Sequence, residues 1–142
     1  MNEPLFEPYA LQQRWSLPEA IRPEQWSALF GAYLERLAQA CGSSSEGPTA
    51  PGVVIGHIKL LALFPESDFL RVSTVRAGDP PTVTGRVPPG LARIDTTLNL
   101  LVYGLDHELL AACAARDAAT VAAQWSGTVV ELPISGSRQH AH

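Results

Sequence analysis

The sequence predicts an α+β fold: a mostly antiparallel sheet of four to five strands, covered by two helices and preceded by an aromatic N-terminal arm. Three observations lead there. Residues 53–64, VVIGHIKLLALF, alternate as a strand with one dry face. Two longer segments, near 23–42 and 106–125, carry apolar residues at helical spacing. Short β-branched runs separated by turn residues fill the space between them.

Residues 1–22 read as the arm. Leu5, Phe6, Tyr9, Leu11, Trp15 and Leu17 are too many apolar groups to stay free in water, while Pro4, Pro8 and Pro18 exclude a long helix. Such an arm lies across its own domain or docks onto a second subunit or another protein. Ser16-Leu17-Pro18-Glu19 has capping-box spacing, so a short helical turn is expected there. The single folded domain is expected over residues 23–134, with residues 135–142 a polar tail.

The first helix starts at Pro23, a residue suited to a first helical position. Trp26, Leu29, Phe30, Tyr33, Leu34, Leu37, Ala38 and Cys41 form one stripe, and Gly42 ends it. Residues 42–52, GSSSEGPTAPG, make a long connector. In the strand that follows, Val54, Gly56, Ile58, Leu60, Ala62 and Phe64 should share the apolar face. Ile55, His57, Lys59, Leu61 and Leu63 take the other.

Residues 65–68 turn the chain into a returning strand at 69–75. A short strand at 82–87, bracketed by Pro80, Pro81, Pro88 and Pro89, belongs at a sheet edge, with Gly85 a bulge candidate. Residues 92–103 fit a helix or a strand; their β-branched content favours the strand. Asp106 caps a second helix to about Trp125, with a kink expected near Arg116-Asp117. Gly127 stops it before a last strand at 128–132.

The net charge of −4 and the scattered basic residues argue against nucleic acid. No apolar run is long enough to cross a bilayer, and no basic leader precedes an apolar block, so a cytoplasmic chain is expected. Cys41 and Cys113 share no motif and read as buried free thiols. No phosphate-binding glycine loop or nucleophile elbow is present, and the histidines show no metal-ligand spacing apart from His140-x-His142 in the tail, so no cofactor and no metal is assigned.

The candidate ligand site is the more polar sheet face: His57, Lys59, Arg71, Arg93, Asp95 and Asn99. Lys59 is the only lysine. Beside His57 it is a candidate for anion binding or, if deprotonated, for Schiff-base chemistry. The competing reading is a solvated ladder of ion pairs, Lys59 or Arg71 against Asp95. With one carboxylate in the set, no paired acid and base is available and no catalytic residue is assigned.

Gly56-His57-Ile58-Lys59, the hairpin after it, and Leu101-Val102-Tyr103-Gly104-Leu105 resemble segments attached to metallochaperone GTPases of the cobalamin-synthesis family. The resemblance covers about the middle third of the chain and lacks every GTPase motif. It implies an accessory module in metal or corrinoid enzyme maturation. The residues themselves favour a non-catalytic interaction module that assembles with itself or a protein partner. A small-ligand binder or enzyme on the polar face is the alternative.

Overall fold

The computed structural model describes residues 8–43 and 53–133. In chain order these form β1 (Tyr9–Ser16), α1 (Pro23–Ser43), β2 (Val54–Leu63), β3 (Phe69–Thr74), β4 (Thr82–Gly85), β5 (Arg93–Tyr103), α2 (His107–Ala123) and β6 (Thr128–Leu132). The six strands make one antiparallel sheet in the order β4-β3-β2-β5-β1-β6. The class is the α+β fold expected, with one strand more than expected. The extra strand is β1, cut from the segment read as an arm.

The topology explains why only one face is covered. β1 and β2 both pair antiparallel with β5, so they run parallel to each other, and the chain passes between them through α1. β5 and β6 both pair antiparallel with β1, and the chain passes between them through α2. The two crossovers step in opposite directions from oppositely directed strands. Given the right hand that such connections take, both helices land on the same face.

The core lies between that face and the helices. The α1 stripe Trp26, Phe30, Tyr33, Leu34, Leu37 and Cys41 is fully buried against Trp15, Ile58, Leu60, Leu70, Val72 and Leu98. Leu110, Ala114, Ala118 and Val121 of α2 complete it. Small alanines let α2 sit close to α1.

β1 is tied in as a core strand rather than a detachable arm. Trp15 is wholly buried, edge-on to Phe30 and Tyr33 at 5.2 and 5.0 Å between ring centroids. Its indole N–H donates to Thr96 Oγ1 at 3.2 Å, which satisfies the polar tip of a buried ring. Gln13 also points into the core, where its Oε1 lies 3.1 Å from the Tyr33 hydroxyl. The folded unit therefore includes Tyr9–Ser16, ahead of the boundary expected at residue 23. Residues 1–7 of the expected arm and the tail at 135–142 lie outside the described residues.

Other local expectations are corrected in the same way. Ser16 ends β1 instead of opening a helical turn, because its backbone pairs with Arg93 and Thr128. α2 runs unbroken through Arg116-Asp117. Asp117 does not cap a second segment. Its buried Oδ1 lies 3.5 Å from Arg36 Nε of α1 and 3.3 Å from Arg116 Nε, joining the two helices. Asp106 does cap α2, its side chain accepting from the Leu109 amide at 2.9 Å. The segment 93–103 is a strand, and β4 is an edge. Among the described residues no helix is long and apolar enough to cross a membrane.

Candidate functional site

Side chains opposite the helices form the second face of the sheet, and none of the strand residues pointing there is buried. Antiparallel register sets their rows, since directly paired residues share a face. Thr84, Arg71, Leu61, Thr97, Gln12 and Leu132 run across all six strands. In the neighbouring row Lys59 stands between Ser73 of β3 and Asn99 of β5. On the other side Phe69 pairs with Leu63, while Arg14 stands between Asp95 and Val130.

One bulge decides which way the histidine points. Val54 pairs with Tyr103 and Ile55 with Val102, after which the register slips so that His57 pairs with Leu101. Gly56 is the extra residue, and it lies tight against β5: a Cβ there would sit 3.1 Å from the Leu101 carbonyl oxygen. Beyond the bulge the alternation is as expected, with Ile58, Leu60 and Ala62 buried and His57, Lys59, Leu61 and Leu63 on the second face. Before it the faces are inverted. Val54 is exposed on the second face and Ile55 packs on the core, the reverse of what strict alternation predicts.

The six site residues fall into two groups. His57, Lys59 and Asn99 are close neighbours on β2 and β5, and Arg71 is one row and one strand from Lys59. Arg93 and Asp95 stand toward the opposite end of β5, where Asp95 meets neither Lys59 nor Arg71. Its partner is Arg14, which donates from its Nε to Oδ1 at 2.8 Å and from a terminal nitrogen to Oδ2 at 3.0 Å. This two-pronged bond replaces the ladder expected with Lys59 or Arg71. The sequence reading missed it because β1 was not placed beside β5.

Electrostatics follow from these neighbours. The Arg14 hydrogen bonds, with help from the charge of Arg93, hold the Asp95 carboxyl below its ordinary pKa. Partial burial, and then the charge of Lys59, hold the His57 imidazole below its ordinary value, so it is neutral at pH 7. Among the described residues Lys59, Arg71, Arg86 and Arg93 have no carboxylate within ion-pair distance, whereas Arg14, Arg22, Arg36, Arg76 and Arg116 each have one.

No family model, curated protein or solved structure matches this chain. Gly56-His57-Ile58-Lys59 and Leu101-Val102-Tyr103 are adjacent in space, since His57 pairs with Leu101 and Val54 with Tyr103.

The second face holds a depression of about 230 Å³ over Gln12, Leu61, Leu63, Asp95, Thr97 and Leu132. His57 and Lys59 do not line it. A larger cleft of about 490 Å³ lies elsewhere, between the start of α1 and the loop after β4, among Glu24, Asp68, Arg86 and prolines. A shallower depression of about 540 Å³ runs along Ser16, Leu17 and residues 90–93, so size alone does not single out the cleft. Chemistry favours the sheet face, where apolar side chains and unpaired cations stand together. Among the described residues no three His, Cys, Asp or Glu side chains gather as a metal site would require.

The residues that the sequence reading did not single out are apolar. Leu63 and Val130 are 72% and 56% exposed, Val54 57%, and Leu61, Phe69, Leu101 and Leu132 are half-buried on the same face. All but Val54 follow from the alternation of their own strands, so for them the signal was present in the pattern once each strand was placed; Val54 is brought to this face by the Gly56 bulge.

Proposed function

We propose that this chain is a non-catalytic interaction module that docks another protein on the uncovered face of its sheet. The observation that carries the reading is the apolar patch Leu61, Leu63 and Phe69, with a second pair, Val130 and Leu132, across the polar Thr97–Gln12 and Asp95–Arg14 pairs, on a face that no described residue covers. Contiguous exposed apolar surface on a folded domain marks an interaction site. Six strands spaced about 4.8 Å apart, each spanning several residues of roughly 3.4 Å, offer on the order of 600–700 Å². A standard protein interface takes about 800 Å² from each partner.

The chemistry of the polar residues supports the non-catalytic half. Asp95 is the only carboxylate in the candidate set, and both of its oxygens are engaged by Arg14. The cross-strand neighbours of Lys59 are a serine and an asparagine, which supply hydrogen bonds but no acid or base.

The test is photo-crosslinking in the native host, with a photoreactive amino acid at Leu63 or Val130 and, as controls, at Glu35 or Ala119 on the helical side. Protein adducts from the two sheet positions and none from the helical positions are expected. Adducts from both sides equally, or from neither, would remove the reading. An adduct of twice the 15.2 kDa chain mass identifies a second copy as the occupant.

A second reading is favoured by the pairing of Lys59 and Arg71 with the hydroxyls of Ser73, Thr82 and Thr84: a small anion held on the β2–β3 ladder. There, phosphate, sulfate or citrate should raise the melting temperature of the wild type and leave that of Lys59→Met unchanged. Equal shifts in both proteins count against it.

A further inference from the structure

Charge is distributed unequally between the two sides of this molecule. The strand positions of the uncovered face hold Arg14, Lys59, Arg71 and Arg93, four of the ten basic residues in the chain. They hold only Asp95 of the fourteen acidic ones. A chain of net charge −4 thus carries one cationic face. Arg14 is consumed by Asp95. Lys59, Arg71 and Arg93 are three of the four cations without a carboxylate partner among the described residues. Among the described cations elsewhere, Arg22, Arg36, Arg76 and Arg116 have an acid within reach and Arg86 does not, whereas on this face three of the four have none.

Lys59 and Arg71 also border the apolar patch. Leu61 follows Lys59 by two residues on the same strand and is the direct cross-strand partner of Arg71. Leu63 and Phe69 extend from there as the next pair. A partner that lays apolar side chains on Leu61, Leu63 and Phe69 therefore meets two unneutralised cations along one side of the contact.

Resting on the docking reading above, we infer that the partner is an acidic protein segment with an apolar stripe, its carboxylates seated on Lys59 and Arg71. Complementary potentials of this kind set specificity and speed encounter. A second copy fits less well. It presents the same face, with four cations to one carboxylate, and pairing that face with itself gathers like charge. Nucleic acid fits less well too. Phosphate binding wants a denser set of cations than these, and Phe69 is a single ring beside Leu61 and Leu63 rather than a run of stacking platforms.

The experiment uses the full chain, isotope-labelled for amide shift mapping, and three probes of defined chemistry. These are an amphipathic Leu/Glu peptide of about four helical turns, its Leu/Lys counterpart with the same apolar pattern, and a single-stranded oligothymidylate. The acidic peptide should bind and shift amides along β2 and β3, weakening as salt rises. The basic peptide should bind at least tenfold more weakly. Lys59→Glu with Arg71→Glu should reverse that preference, and Lys59→Gln with Arg71→Gln should abolish it. Thermal melting confirms that the variants are folded. Equal binding of acidic and basic peptides overturns the inference while leaving the docking reading in place. Preference for the oligonucleotide overturns it, as does no binding of the acidic peptide at millimolar concentration. Crosslinks at Leu63 that disappear altogether would instead strike the docking reading itself.

Discussion

Leu60 and Leu63 lie three residues apart on one strand and should behave as residues of different proteins. Leu60 is fully buried between the sheet and the helices, whereas Leu63 is 72% exposed on the opposite face. Truncating a buried leucine to alanine removes its transfer energy and leaves a cavity that the surroundings only partly refill. That costs about 3 kcal/mol, within a range of roughly 2–5. Leu63 keeps only about a quarter of its contacts, so Leu63→Ala should cost roughly 0.5 kcal/mol on the scale of 1.5–3 kcal/mol for a fully buried leucine. For a domain of this length those energies correspond to melting shifts of about 10 °C and about 2 °C. Urea titrations followed by the fluorescence of the buried Trp15 and Trp26 would measure both, at two protein concentrations tenfold or more apart. Equal losses at the two positions would refute the assignment of faces. A Leu63→Ala loss that depends on protein concentration would show that a second copy already covers the patch.

Three further outcomes follow from the same geometry. Because the folded carboxyl of Asp95 titrates below its unfolded value, its bond to Arg14 stabilises the fold above about pH 4 and that contribution is lost as pH falls through the folded pKa. Both side chains are about half exposed, so Arg14→Ala should cost little at neutral pH and flatten the acid limb of the stability curve. An unchanged Asp95 titration in that variant, followed by NMR, would contradict this. His57 is held below its ordinary pKa, so the fold loses stability as pH drops below about 6.5. Lys59→Met should raise the imidazole pKa and reduce that loss; no movement of the imidazole resonances would show that Lys59 does not act on it. Burial pushes the Cys41 thiol up to about 11, and Cys113 is buried as well. A thiol reagent at pH 8 should therefore label neither in the native chain and both in urea, and rapid native labelling would mean that the α1–α2 interface opens.

How much of this was legible in the sequence depends on what each feature requires. α1 was legible because its stripe keeps helical period over five turns, and β5 because β-branched residues decided between two fitting patterns. The two buried cysteines followed from the helix faces they occupy. β1 was not legible as a strand, since prolines bracket it and a glutamine, Gln13, takes an inward position among apolar residues. That glutamine is satisfied by Tyr33, a partner from another element that local pattern does not reveal. The faces around Gly56 were misassigned because one bulged residue inverts everything before it. The site was legible residue by residue but not as a whole. His57, Lys59 and Asn99 do stand together, whereas Asp95 is drawn off to Arg14 by a strand order that two helical crossovers impose. Hairpin adjacency carried β2 to β4 and no further.

The claim beneath the functional reading is that one side of the sheet meets solvent in the free chain and is apolar there. A soluble paramagnetic co-solute, with methyl relaxation recorded residue by residue, measures this directly. Methyls of Leu61, Leu63, Val130 and Leu132 should relax strongly while those of Leu60, Leu98 and Leu100 stay protected. Protection of both sets would mean that the second face is already covered in the free chain, and the docking surface would not exist.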